Sequence, residues 1–219
     1  MTSGWQAPPD PRKNDSPRPP MRWPPSPETV LTGSVVSLTQ HTDDDAEPLF
    51  AALADDRVWR HLPFRPTSVA EQAEWLARMR SIGRVVWIIR LVTEHAGVAA
   101  GSVVGMSSYL NAAPHDARLE IGATAYAPAV WGTAVNAQTK LLLLEHAFEH
   151  LNVGRVQLVT DIRNVRSQRA MAAIGATFEG VLRRYQRRAD GSVRDSVLFS
   201  VTAEDWPAVR TLLSGRLGQ

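Results

Sequence analysis

Apolar and polar residues alternate along this chain with two periods, and the changes of period mark strands and helices. Gly33–Thr39 reads as a strand, and Asp43–Ala54 as a helix whose first turn carries Asp43–Asp45, acids that the helix dipole favours there. Ser68 with Glu71 forms a capping box before a helix reaching about Arg80, with Ala73, Leu76 and Met79 on one side. Arg84–Val92 and Val98–Leu110 read as consecutive strands. In Arg118–Tyr126, Leu119, Ile121, Ala123 and Ala125 alternate against Arg118, Glu120, Gly122 and Thr124, a half-buried strand. The spacing of Ala137, Leu141, Leu144, Phe148 and Leu151 predicts a helix over 136–151. Arg155–Asp161 is a strand, and Arg166–Ile174 a helix stopped by Gly175. Phe178–Arg188 and Ser192–Val201 flank the turn signal Asp190-Gly191, and Thr202 with Asp205 caps a last helix. The pattern predicts an α/β (α+β) fold with a mixed sheet of about seven strands flanked by helices.

Composition adds bounds. Residues 1–27 hold nine prolines and two tryptophans, Trp5 and Trp23. Such a segment forms neither helix nor sheet. We expect a disordered tail over 1–29 and one domain over 30–219. The hydrophobic share, 44%, is that of a soluble chain. No apolar run approaches the ~20 residues of a membrane helix, and no leader is visible, so a cytoplasmic location and no membrane partner are expected. Cysteine is absent, which removes disulfides, thiolate metal sites and a cysteine nucleophile. Net charge is +2, and lysine occurs only at 13 and 140, so the basic residues are nearly all arginine. A spread charge of that size is a weak footprint for nucleic acid.

Ala125–Lys140, AYAPAVWGTAVNAQTK, joins a strand to a helix start through a turn of small residues. Backbone N–H groups at a helix start point outward and favour negative charge, so this turn can hold a pyrophosphate. Tyr126-x-Pro128-x-x-Trp131-Gly132-Thr133-Ala134-Val135-Asn136 resembles the acyl-CoA pyrophosphate loop of GNAT acetyltransferases. Asn164-x-x-Ser167 followed by Ile174-Gly175-Ala176 resembles the family's next motif, which covers the pantetheine arm. Asp190–Ser200 and Val58-Trp59…Leu62-Pro63 resemble the RimJ/RimL-like branch, the ribosomal-protein N-terminal acetyltransferases. The resemblance runs from about Val30 to Leu213. It departs from the pattern at Trp131 (usually Arg or Gln), Thr133 (often Lys or Arg), Ala134 (Gly) and Asn136 (Gly or Ala).

The resemblance implies the GNAT acyl-CoA N-acyltransferase fold and an N-acetyltransferase. It further implies acetyl-CoA as co-substrate, no metal, and direct passage of the acyl group to a primary amine in a ternary complex. The acceptor is a protein N-terminal α-amine or a small-molecule amine. An α-amine of pKa ~8 sheds its proton more easily than lysine near 10.4, which favours the α-amine. Trp131, Gly132, Thr133, Ala134, Val135 and Asn136 are implied to grip the diphosphate. Arg169, with Arg166, is implied either to meet phosphate or to be solvated on an exposed helix face, and Asn164 to meet a pantetheine amide or to cap its helix. Backbone amides at Thr124 and Tyr126 are implied oxyanion and pantetheine partners.

Glu120 is the implied base, acting through a bridging water; the alternative is a strand carboxylate paired with Arg118 or another arginine. The tyrosine that many members use as acid corresponds to Met171, which has no proton to give. Ser167 is the nearest hydroxyl, either polarising the thiolate or satisfying its own helix. Trp59, His61 and Tyr185 are implied to line the acceptor side, with Trp59 equally readable as core. His146 and His150, flanked by Glu145 and Glu149, read as a solvent-facing pair. Two other readings stay open: a catalytically silent CoA-binding module, and an RNA- or ribosome-binding protein using Arg183, Arg184, Arg187 and Arg188. A homodimer is compatible with either.

Overall fold

Eight strands form one sheet: β1 (Val30–Thr32), β2 (Val36–Gln40), β3 (Val85–Leu91), β4 (Val103–Ala113), β5 (Arg118–Tyr126), β6 (Arg155–Asp161), β7 (Thr177–Arg187) and β8 (Val193–Thr202). This is a computed structural model that describes residues 6, 7, 9, 18–188 and 190–218. The strand order is β1-β2-β3-β4-β5-β6-β8-β7, and every pair is antiparallel except β5–β6. The strand beyond the expected seven is β1, a three-residue edge. The helices are α1 (Ala46–Ala52), α2 (Asp56–Trp59), α3 (Val69–Ser81), α4 (Ala134–Glu145), α5 (Val165–Ala173) and α6 (Trp206–Arg216).

The sheet separates two cores. On one face, Leu38, Trp87, Tyr109, Leu119 and Ile121 pack with Leu141, Leu144 and Phe148 of the α4 arm and Trp206 and Leu213 of α6. On the other, Val86, Ile88, Met106 and Ala125 meet Leu49, Leu53, Trp59 and Leu76 from the α1–α3 segment. Burial of these side chains, about 1.5–3 kcal/mol each, is what holds helices to sheet.

Local signals act as their chemistry dictates, with refinements. Ser68 caps α3 by accepting from the Glu71 amide at 3.2 Å. The Glu71 carboxylate reaches back to the Thr67 amide at 2.7 Å, one residue earlier than a capping box requires. The Thr202–Asp205 box is reciprocal, at 2.9 and 3.3 Å. The strand expected from Val98 begins only at Val103, because His95 and Val98 first pair in a tight bridge.

The helix expected over 136–151 starts at Ala134 and ends in a π-helical turn, His146–His150. His146 is therefore not on the outer face. It is buried, its Nδ1 is 3.2 Å from the Tyr109 hydroxyl, and its ring stacks on Tyr109. Burial, then His150, pushes its pKa down to about 4, so it is neutral at pH 7.

From residue 18 the proline-rich stretch lies against the domain. Met21 enters the core, the Arg22 amide donates to the Leu151 carbonyl at 2.8 Å, and the Trp23 ring sits 6.4 Å from Tyr109. Most of 1–17, Trp5 included, lies outside the described residues. Met21→Ala is expected to cost about 2–3 kcal/mol through the cavity it leaves. An unchanged denaturation midpoint in that variant would mean the stretch adds nothing to the core.

Candidate active site

The parallel pair at the centre of the sheet is short. β5 and β6 pair only at Arg118–Arg155, Leu119–Val156 and Glu120–Gln157, then separate into a wedge. On that edge the backbone groups of β5 from Ile121 to Tyr126 have no strand against them, although buried backbone groups need partners. A bulge makes the divergence. Ala123 adopts φ 47°, and the β4–β5 register slips by one residue between Met106 and Ser108. Beside it, a Cβ on Gly105 would stand 2.2 Å from the Ala125 carbonyl oxygen, so only glycine allows the two strands to approach there. The expected alternation therefore breaks: Ala125 joins the α1–α3 core rather than that of Leu119, and Thr124 turns toward α4.

Past β5 the chain tightens. A 3₁₀ turn, Pro128–Val130, leads to Trp131, whose indole N–H donates to the Tyr126 carbonyl at 2.9 Å. Gly132 turns the corner at φ 76°, a conformation that suits glycine. The Thr133 hydroxyl donates to the Val130 carbonyl at 2.8 Å and accepts from the Val135 amide at 3.3 Å. The amides of Ala134 and Asn136 stand in the first turn of α4, where no earlier helical carbonyl exists to take them. Arg166 lies 4.0 Å from the Trp131 ring centroid and Arg57 5.5 Å. Arg57 is spent on Asp55 at 2.7 Å, so Arg166 brings the stronger uncompensated charge to this lip. Arg169 is exposed on the same helix, α5. Amides, a helix dipole and a guanidinium around one concave turn fit a diphosphate.

At the closed end of the wedge stands Glu120, 6% exposed. Its Oε2 accepts from Asn111 Nδ2 and Gln157 Nε2, both at 3.0 Å. Arg118 is turned instead to Asp116 at 3.4 Å, while the charge of Glu120 is felt by Arg84 and Arg194. Gly122 keeps space over Oε1, which lies 2.9 Å from where a Cβ would be.

The acetyltransferase (GNAT) domain model matches residues 36–177, which contain the wedge, the loop and Glu120. This chain belongs to the GNAT family. It is an N-acetyltransferase, and its family uses acetyl-CoA. A protein from T. thermophilus assigned as an acetyltransferase is 38% identical, with 86% of this chain and 96% of that chain covered and a TM-score of 0.73. YoaA of Bacillus subtilis, an uncharacterised N-acetyltransferase, is 26% identical over 78% of this chain and 96% of its own length. Mycobacterium smegmatis RimJ, solved in complex with CoA-disulfide, shares the fold at 23% identity and TM-score 0.69, with 91% and 94% covered.

The remaining sequence candidates of this GNAT enzyme divide. Asn164 caps α5, its Oδ1 accepting from the Ser167 amide at 3.1 Å, which leaves its amide nitrogen for a ligand. Ser167 is half-buried, and Met171 packs against the core. Trp59 is a core residue: it is 9% exposed and its indole N–H donates to the Leu53 carbonyl at 2.7 Å. It supports the following His61 segment rather than offering a polar atom of its own. His61 is half-buried, and burial, against the pull of Asp161 and with the push of Arg60, Arg166 and Arg188, lowers its pKa. Tyr185 stands exposed where β7 bulges between Leu182 and Gln186.

Sequence reasoning missed Arg194. It is 8% exposed and ties β8 to β7 and the His61 segment through Ser196 Oγ (3.1 Å), Gln186 Oε1 (2.6 Å) and the His61 carbonyl (3.4 Å). Of the arginine cluster, Arg188 turns inward onto buried Asp161 at 2.7 Å. Burial pushes Asp161 up, but Arg188, the Arg163 amide and Arg194 together hold the carboxyl low. Among the described residues no group of three metal-ligating side chains is present, and no helix is long and apolar enough to cross a membrane.

Proposed function

We propose that this enzyme belongs to the RimJ/RimL-like branch and acetylates an N-terminal α-amine of a protein or peptide, by direct attack on acetyl-CoA held between β5 and β6. The observation that carries this reading is Glu120: a buried carboxylate at the foot of the wedge, oriented by two amide donors and free of an ion pair among the described residues.

Each residue takes one part. The α4 amides and Arg166 hold the diphosphate, and Trp131 props Arg166 over the loop. The open edge of β5 from Thr124 to Tyr126 supplies N–H donors to the pantetheine and to the oxyanion. An ammonium has no lone pair, so the acceptor must lose a proton before it attacks. Glu120 takes that proton, directly or through a water lodged over Oε1. His61 and Tyr185 border the entry for the acceptor, and Arg194 fixes the backbone under His61.

The test is free-thiol release from acetyl-CoA with a panel of short peptides and of small-molecule amines. Peptides with unblocked N-termini are expected to turn over faster than side-chain lysine in an N-blocked peptide. Turnover confined to small amines would overturn the acceptor assignment. Calorimetric binding of acetyl-CoA with no thiol release across the panel would favour a silent binding module.

A further inference from the structure

α4 buries a lysine that has no anion against it. Lys140 is 7% exposed and is the only lysine among the described residues. Its ammonium donates to Thr124 Oγ1 at 2.9 Å, and that oxygen is 2.8 Å from Ser107 Oγ. Among the described residues no carboxylate pairs with it. Burial alone lowers its pKa, to about 7. The ionisable groups of the elements packed around it do not help. β5 offers Tyr126 and β4 offers Tyr109, phenols that burial keeps protonated, and the β5 carboxylate Glu120 is held by Asn111 and Gln157. Arg210 of α6 is engaged with Glu145 and Glu149. An isolated buried ammonium is unfavourable and sheds its proton readily, and an opposite charge arriving beside it restores the charged form.

Its place says which charge that is. Thr124 lies on the stretch of β5 that has already parted from β6. Lys140 is six residues into α4, about 9 Å along the axis from Ala134. A donor whose diphosphate caps α4 sends its thiol-bearing arm down the wedge in that direction, past Thr124. The anion formed there once per turnover is sulfur.

We propose that Lys140 is a positioning residue for the leaving group: through Thr124 it holds a positive charge at the floor of the wedge, against which the coenzyme A thiolate departs. The inference rests on the reading above, in which acetyl-CoA lies between β5 and β6. The step balances. The neutral amine, whose first proton Glu120 has passed on to solvent, forms a bond from nitrogen to the acetyl carbon and gives its second proton to the Glu120 carboxylate. The C–S bond breaks with its electron pair on sulfur, leaving one carboxylic acid and one thiolate opposite one ammonium. Met171, where a proton donor is absent, makes this charge the more necessary.

The test is the ionisation of bound coenzyme A, followed by ultraviolet absorbance of its thiolate against pH. Calorimetry of coenzyme A runs in parallel on wild type, Lys140→Met and Thr124→Val. The thiol is expected to ionise about 1–3 pH units higher on Lys140→Met than on wild type, with Thr124→Val between them. Equal ionisation on all three, with coenzyme A bound, overturns the role of Lys140 and leaves the proposed function standing. No binding to folded wild type overturns both. Should Lys140→Met fail to fold, Thr124→Val decides alone, since it keeps shape and removes only the hydroxyl; a thiol ionising there as on wild type overturns the role.

Discussion

Glu120→Gln is expected to cut kcat by about 10²–10⁴, the usual contribution of a positioned proton acceptor, with the acetyl-CoA dissociation constant nearly unchanged. Glutamine keeps the volume of the side chain. Its amide oxygen can still accept from Asn111 and Gln157, so the foot of the wedge keeps its packing. What is lost is the ability to take a proton from the acceptor nitrogen. Steady-state kinetics with calorimetry on the same preparation checks this. A variant with wild-type kcat and an unchanged pH–rate profile would make Glu120 a structural carboxylate.

Ala134→Glu is expected to weaken coenzyme A binding about a hundredfold or more. The first position of α4 is where its dipole favours negative charge, so a glutamate there suits the helix and the fold. For a diphosphate seated on the same amides it is a like charge a few ångströms away, worth several kcal/mol at an effective dielectric near 20. Stability and ligand affinity thus move in different directions, which separates this substitution from a folding defect. Wild-type affinity for coenzyme A, together with an unchanged or raised Tm, would show that the diphosphate does not use the start of α4.

The site was legible to different depths for definite reasons. β5 and β6 fall on the residues the alternation predicts, because each strand has a face packed on a core, which enforces period two. The loop was legible because a helix start after small residues carries its chemistry in the backbone. The bulge at Ala123 was not, since an alanine at positive φ leaves no mark in the sequence; only the misfit between β4 and β5 forces it. The faces of Thr124 and Ala125 were misassigned with it. Trp59 looked as suited to a ligand as to a core, and the decision came from Leu49, Leu53 and Leu76 closing around it. His146 was placed outside because Glu145 and Glu149 flank it, yet the π-helical turn rotates it inward onto Tyr109.

Alone, then, the order of residues determined the succession of strands and helices, the small-residue turn before α4 and the family to which it points. Those features depend on neighbours a few positions apart, and local backbone preference and periodicity record such neighbours. Three-dimensional packing decided that β5 parts from β6, that Glu120 is spared Arg118, that Arg166 rather than residue 133 charges the lip, and that Lys140 is sealed beneath Thr124. Each of these joins segments distant along the chain, and the forces that set them, burial and charge at short range, exist only once those segments meet.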